Sequence, residues 1–134
     1  FGAILRSAAH FGAAVLLPER STLALSGAAA RVAEGGAEAV PLVRLPDNDA
    51  ALARLHAAGF ASAATVVRDG EDLFALQPPA RLVYVMGAEG EGMDPGLAGA
   101  CMHRVSIPGT GAVESLNVAA ATAVFLAHWA ATRC

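Results

Sequence analysis

Two glycine-bearing segments near the C-terminus constrain this chain more than anything else in it: VYVMGAEGEGM at 83–93 and IPGTGAVESLNVAAATAVFL at 107–126. In the first, an apolar run of strand character ends in a glycine cluster. The second passes through a glycine loop and a polar turn into a long apolar helix. A strand that stops at glycine lets backbone approach a bound molecule closely, because no Cβ intervenes and positive φ is open to it. A helix that follows a polar turn offers unpaired N–H groups at its start. The two segments together predict a small-molecule pocket built from backbone amides rather than from charged side chains.

The rest of the chain supplies a framework for such a pocket. Its 134 residues suit one domain with one core. Residues 2–11 read as a helix ended by Gly12, 13–17 as a strand stopped by Pro18, 23–33 as a helix closed by Gly35 and Gly36, and 40–44 as a strand before Pro46. Residues 49–58 read as an amphipathic helix with Leu52, Leu55 and Ala58 on one face and Gly59 as its stop. A strand at 61–67, a turn at Asp69-Gly70, a connector at 71–80 and a buried strand at 81–86 follow. Asp94-Pro95 carries the N-cap and N1 signature of a short helix. The last strand is expected at 104–107, with Ser115 capping a final helix that runs to Trp129. This alternation predicts an α/β fold, a parallel sheet covered by helices on both faces.

Composition removes several function classes. Hydrophobic residues make up 55% of the chain, yet no apolar run approaches the roughly 18 residues a membrane span needs. The net charge is −3, from twelve acidic and nine basic residues, and every basic residue is Arg. That balance excludes a broadly basic surface of the kind that coats nucleic acid, so any RNA contact is expected from a few local arginines or from an appended domain outside this sequence. Cys101 and Cys134 lack paired spacing and there is no secretory leader, which fits a reduced cytoplasm. His10, His56, His103 and His128 are dispersed without ligand spacing, so no metal is expected. Cys101 and Met102 are expected to line or back the pocket, since no activating His partner is evident. The chain opens at Phe1 without Met, as a fragment would.

The glycine cluster is not a dinucleotide fingerprint. That motif needs G-x-G-x-x-G in the first strand–helix unit with an acidic residue about 20 positions on. Here the order is G-x-x-G-x-G at Gly87, Gly90 and Gly92, late in the chain. Glu89 follows a strand end, where ligands of open α/β sheets sit, and can accept a hydrogen bond from a ribose or amine or cap the next helix. Ser115 and Asn117 add side-chain donors and acceptors at a helix start, a place where ordinary capping is the plain alternative. Arg6 stands among apolar neighbours on the first predicted helix, a position where an arginine is usually paired or functional. Arg31, near a helix end, serves either as a phosphate contact or as a surface cation.

Three segments in order, FGAILRSAAHFG at 1–12, VYVMGAEGEGM and IPGTGAVESLN, resemble the motifs of the SpoU/TrmH family of RNA ribose 2'-O-methyltransferases. The resemblance implies a SPOUT-type fold with a C-terminal trefoil knot around S-adenosylmethionine, and a homodimer with the pocket near the subunit interface. It implies methyl transfer to a ribose 2'-hydroxyl of tRNA or rRNA, with Arg6, Glu89, Ser115 and Asn117 as catalytic residues. Cofactor contacts would come from Val85, Met86, Gly87, Glu89, Gly90, Ile107, Pro108, Ser115, Leu116 and Asn117, and RNA contacts from Arg6 and Arg31. The chain would be the methyltransferase domain, with N-terminal residues and any RNA-binding domain lying before Phe1. The Asn that precedes the arginine in the family's first motif would lie there too. A non-catalytic RNA- or cofactor-binding module of the same fold is the alternative, and the acidic balance favours it.

Overall fold

Glycine punctuates the first helix as its sequence dictates. In the computed structural model, which describes residues 2–18, 42–45, 48–67, 69–87, 95–112 and 116–132, helix α1 runs Gly2–Phe11. It stops at Gly12, whose φ of 74° is a left-handed turn that suits glycine. Leu5 and Ala8 are buried at helical spacing and pack with Ala9, Ala13 and Val15. Strand β1, Val15–Pro18, then pairs in parallel with β2, Leu42–Leu45, in the register Val15 to Leu42. The helix expected at 23–33 and its closing glycines lie outside the described residues.

Helix α2, Asn48–Ala57, buries Ala51 and Leu52 and leaves Leu55 partly covered. Ala58, expected on its apolar face, is exposed beyond the helix end, because the chain is already turning into Gly59 at φ 91°. Strand β3, Ala61–Thr65, is central to a parallel sheet whose order is β4, β6, β3, β5. β5 at Leu82–Val85 and β6 at His103–Ser106 flank β3, and β4 at Glu71–Asp72 pairs with β6. Both faces of β3 are covered. Ala64 packs with Leu52 of α2, with Ala98 of helix α3, Pro95–Ala100, and with Cys101. Ala63 packs with Leu73, Val105 and Phe125 on the opposite face. Small residues on the central strand let the layers close on it from both sides.

Phe125 belongs to α4, Val118–Ala131, which also packs against α1. Its C-terminal end is tied to the segment before β5, with Trp129 Nε1 donating to the Pro79 carbonyl at 3.2 Å. Residues 71–80 are not a plain connector. Glu71 and Asp72 form an edge strand on β6, and Leu73–Ala75 make a 3-10 turn whose N-cap, Asp72, accepts the Phe74 N–H at 2.9 Å. Two exposed acidic residues carry no apolar period, so pattern reading passes over this strand. Among the described residues no helix is long and apolar enough to cross a membrane.

Candidate functional site

The carboxyl ends of three strands converge at one edge of the sheet. Ala64 of β3 lies opposite Val85 of β5, and Thr65 lies opposite Val105 of β6. β5 and β6 are consecutive along the sheet-forming chain yet flank β3 on opposite sides, so the connection between them crosses over β3. Open α/β sheets usually hold their ligands in a crevice at strand ends of this kind. The two glycine-bearing segments leave the sheet there, as Met86-Gly87 and as Ile107-Pro108. Met86 and Ile107 are partly buried against the cluster of Val105, Leu73 and Phe125, so one core anchors both walls.

Beyond Ile107 the chain is exposed and bent. Thr110 Oγ1 accepts the Ala112 N–H at 3.2 Å, and Gly111 turns with φ 88°. Among the described residues, a Cβ built at Gly109 would meet nothing within 4 Å. Helix α4 then begins with Asn117 in extended conformation, its side chain accepting the Ala120 N–H at 2.8 Å. The N-cap is thus Asn117, where Ser115 was expected. Asn117 Oδ1 reaches the third helical residue, the bond that defines a cap. Asn117 is exposed, and Leu116 before it keeps 47% of its surface.

Of the other expected site residues, Glu89, Gly90, Ser115 and Arg31 lie outside the described residues. Val85, Met86, Gly87, Ile107, Pro108, Leu116 and Asn117 belong to the strand ends and helix start just described. Arg6 lies midway along α1. Its neighbours in sequence are apolar, but its side chain is exposed on α1, because the helical period turns Leu5 and Ala8 inward and Arg6 outward.

Residues 1–127 match the family model described as the SpoU rRNA Methylase family. The chain belongs to the SpoU family. It is 41% identical over 126 residues to the 23S rRNA (guanosine-2'-O-)-methyltransferase RlmB of Burkholderia sp, covering 93% of this chain and 51% of that protein. It is 38% identical over 128 residues to YfiF of Escherichia coli O157:H7, an uncharacterized tRNA/rRNA methyltransferase, covering 96% of this chain and 37% of that one. Among solved structures, the SpoU methyltransferase AviRb from Streptomyces viridochromogenes, in complex with AdoMet, superposes with a TM-score of 0.85 at 25% identity. That match covers 98% of this chain and 52% of AviRb. The SpoU chain thus spans about half or less of the length of these relatives.

Of Cys101 and Met102, expected to line or back the pocket of this SpoU chain, Cys101 packs in the cluster that Val66 and Val85 join behind the strand ends. β6 begins at His103, so both sit where that strand enters the sheet, at the opposite end from Ile107. Cys101 is buried among Leu52, Ala64 and Ala98, while Met102 is 53% exposed. Burial pushes the Cys101 thiol above its ordinary 9.0, against smaller lowering effects from the Ser62 hydroxyl and the Arg104 charge. Ser62, fully buried, accepts the Met102 N–H at 3.0 Å and bonds His56 Nε2 at 2.8 Å, which ties α2, β3 and the start of β6 together.

Sequence reasoning missed two residues at the crevice. Thr65, half-buried at the end of β3, donates from Oγ1 to the Val85 carbonyl at 3.1 Å. A lone hydroxyl ending an alanine strand was the available signal. Ser106 ends β6, and its buried hydroxyl has no hydrogen-bond partner among the described residues. A Cβ on Gly70 would come within 2.5 Å of that oxygen, so the Asp69-Gly70 turn needs glycine to pass it. Asp69 carries the positive φ of this turn, 61°, which aspartate tolerates better than most residues. Among the described residues no three His, Cys, Asp or Glu side chains converge as a metal site.

Proposed function

We propose that this SpoU-family chain moves a methyl group from S-adenosylmethionine to a ribose 2'-hydroxyl of tRNA or rRNA. The observation that carries the reading is the meeting of the β3, β5 and β6 ends, from which Met86-Gly87 and Ile107-Pro108 leave the sheet. It stands in a chain that matches the SpoU model over residues 1–127. Its residues fit such a cofactor: apolar Met86, Ile107 and Leu116, and backbone amides and carbonyls at strand ends.

S-adenosylmethionine supplies an electrophilic methyl carbon on a sulfonium. The ribose oxygen forms the new C–O bond as the S–C bond breaks, and the hydroxyl proton leaves to a base or to water. The chain's task is therefore alignment and charge, since in-line positioning accounts for much of the rate of such a displacement. Val85, Gly87, Gly90, Pro108 and Asn117 would hold the cofactor, with Glu89 and Ser115 completing the site. Arg6 would hold the phosphate beside the acceptor ribose and lower the proton affinity of its hydroxyl. A guanidinium, which holds its proton tightly, is a poor general base. The exposure of Arg6 supports a contact with a macromolecule. Arg31 would add a second phosphate contact.

The same reading takes the chain as a single methyltransferase domain working as a homodimer in the cytoplasm, with a trefoil knot at its C-terminal part. The β5-to-β6 crossing on one face of β3, followed by α4 on the other, supports the knot. Ala120 and Ala127, exposed on the apolar α4, support the dimer, which light scattering at micromolar concentration would report as twice the chain mass.

Tritium transfer from labelled cofactor to bulk rRNA and tRNA, followed by alkaline hydrolysis, tests the activity. Label in alkali-resistant dinucleotides is the expected result, because a 2'-O-methyl group blocks cleavage. Arg6→Ala should leave cofactor affinity nearly unchanged and reduce transfer by roughly 100-fold. Cofactor binding without transfer to any RNA would favour the non-catalytic module.

A further inference from the structure

Thr65 stands at the point where the chain crosses from one side of β3 to the other. Its Cα partner is Val105 of β6, while its hydroxyl donates to the Val85 carbonyl of β5 at 3.1 Å. The next residue, Val66, donates its N–H to the Val105 carbonyl at 2.9 Å. Thr65, which ends β3, and Val66, which follows it, thus hold the last residue of β5 and the penultimate residue of β6. Past Val85 the chain leaves as Met86-Gly87, and past Val105 as Ser106, Ile107 and Pro108. Thr65 is β-branched, so its χ1 is restricted and the hydroxyl acts as a fixed strut. The bond spans 20 positions of sequence and is half-buried, so water competes for it less than at the surface.

We propose that Thr65 is a positioning residue for cofactor binding: by holding the Val85 carbonyl it fixes the Met86-Gly87 wall against the Ile107-Pro108 wall. The inference rests on the reading of the crevice as the S-adenosylmethionine site. A wall that is already in place costs nothing to order when a ligand arrives, whereas a loosened wall is ordered at the expense of affinity. Thr65 need not touch the cofactor for this effect.

The test is calorimetric titration of S-adenosylhomocysteine into the wild-type chain, Thr65→Val and Thr65→Ser, with the thermal midpoint of each recorded. Valine fills the space of threonine without a hydroxyl. Serine keeps the hydroxyl and gives up the methyl. The dissociation constant should rise about five- to tenfold in Thr65→Val, the scale of one lost intramolecular hydrogen bond, and stay within about twofold in Thr65→Ser. Thermal midpoints need not follow that order, because serine also loses packing. A merely structural role would reverse the ranking, with valine the better substitute. That reversal, or equal affinity in all three proteins, overturns the proposal for Thr65 while the crevice reading stands. A wild-type chain that fails to bind S-adenosylhomocysteine overturns the crevice reading and the proposal with it.

Discussion

The side chain of Asn117 accepts the backbone N–H of Ala120 at 2.8 Å, and this bond starts the last helix at the rim of the crevice. A residue that both caps a helix and borders a ligand site has two separable effects when replaced. Asn117→Ala should lower the unfolding free energy by about 1 kcal/mol, the usual cost of removing an N-cap, and should also weaken S-adenosylhomocysteine binding. Asn117→Asp keeps the cap acceptor and should recover the stability. Urea midpoints and calorimetric affinities measured on both variants check this, and an alanine variant as stable as wild type would contradict the cap.

Phe125 belongs to the core cluster against which Met86 and Ile107 both pack. It is 3% exposed, lies 5.1 Å from the Tyr84 ring between centroids, and packs in the cluster that includes Met86 and Ile107. Phe125→Ala should cost about 3–5 kcal/mol, a large part of the roughly 5–15 kcal/mol that holds a domain folded. The expected result in chemical denaturation is a protein unfolded at low urea or with no cooperative transition. Phe125→Leu keeps an apolar anchor and should stay folded.

Cys101 gives a pH dependence with a definite sign. Burial raises its thiol above 9.0, so the folded chain keeps a proton that the unfolded chain has begun to release. The stabilisation is fully present below pH 9.0 and is lost as the pH rises through the folded value. Cys101→Ala removes this contribution, so its stability should fall less steeply above pH 9.0 than that of wild type. Urea midpoints of both proteins on either side of that pH provide the comparison, and parallel slopes would contradict the burial effect.

Local signals were legible where one residue decides the backbone. Gly12 and Gly59 end α1 and α2 where sequence places their stops, and both turn with positive φ. Strands β3, β5 and β6 begin within a residue of expectation, since short apolar runs between turns leave little choice. Competition between neighbours was not legible. Ser115 and Asn117 are both good caps, and only tertiary packing of α4 against α1 and β3 selects the register that makes Asn117 the cap. The edge strand at Glu71 and Asp72 has no apolar period to announce it. The orientation of Arg6 depends on which side of α1 meets the core. Thr65 reaches Val85 across 20 positions, a pairing set by sheet register and absent from any local pattern.

The central claim is that the crevice at the β3 crossing takes S-adenosylmethionine and not a dinucleotide. Separate calorimetric titrations of the wild-type chain with S-adenosylhomocysteine and with NAD test it most directly. The account predicts saturable binding of S-adenosylhomocysteine at one site per chain and no heat from NAD beyond dilution; tight NAD binding with no response to S-adenosylhomocysteine would contradict it.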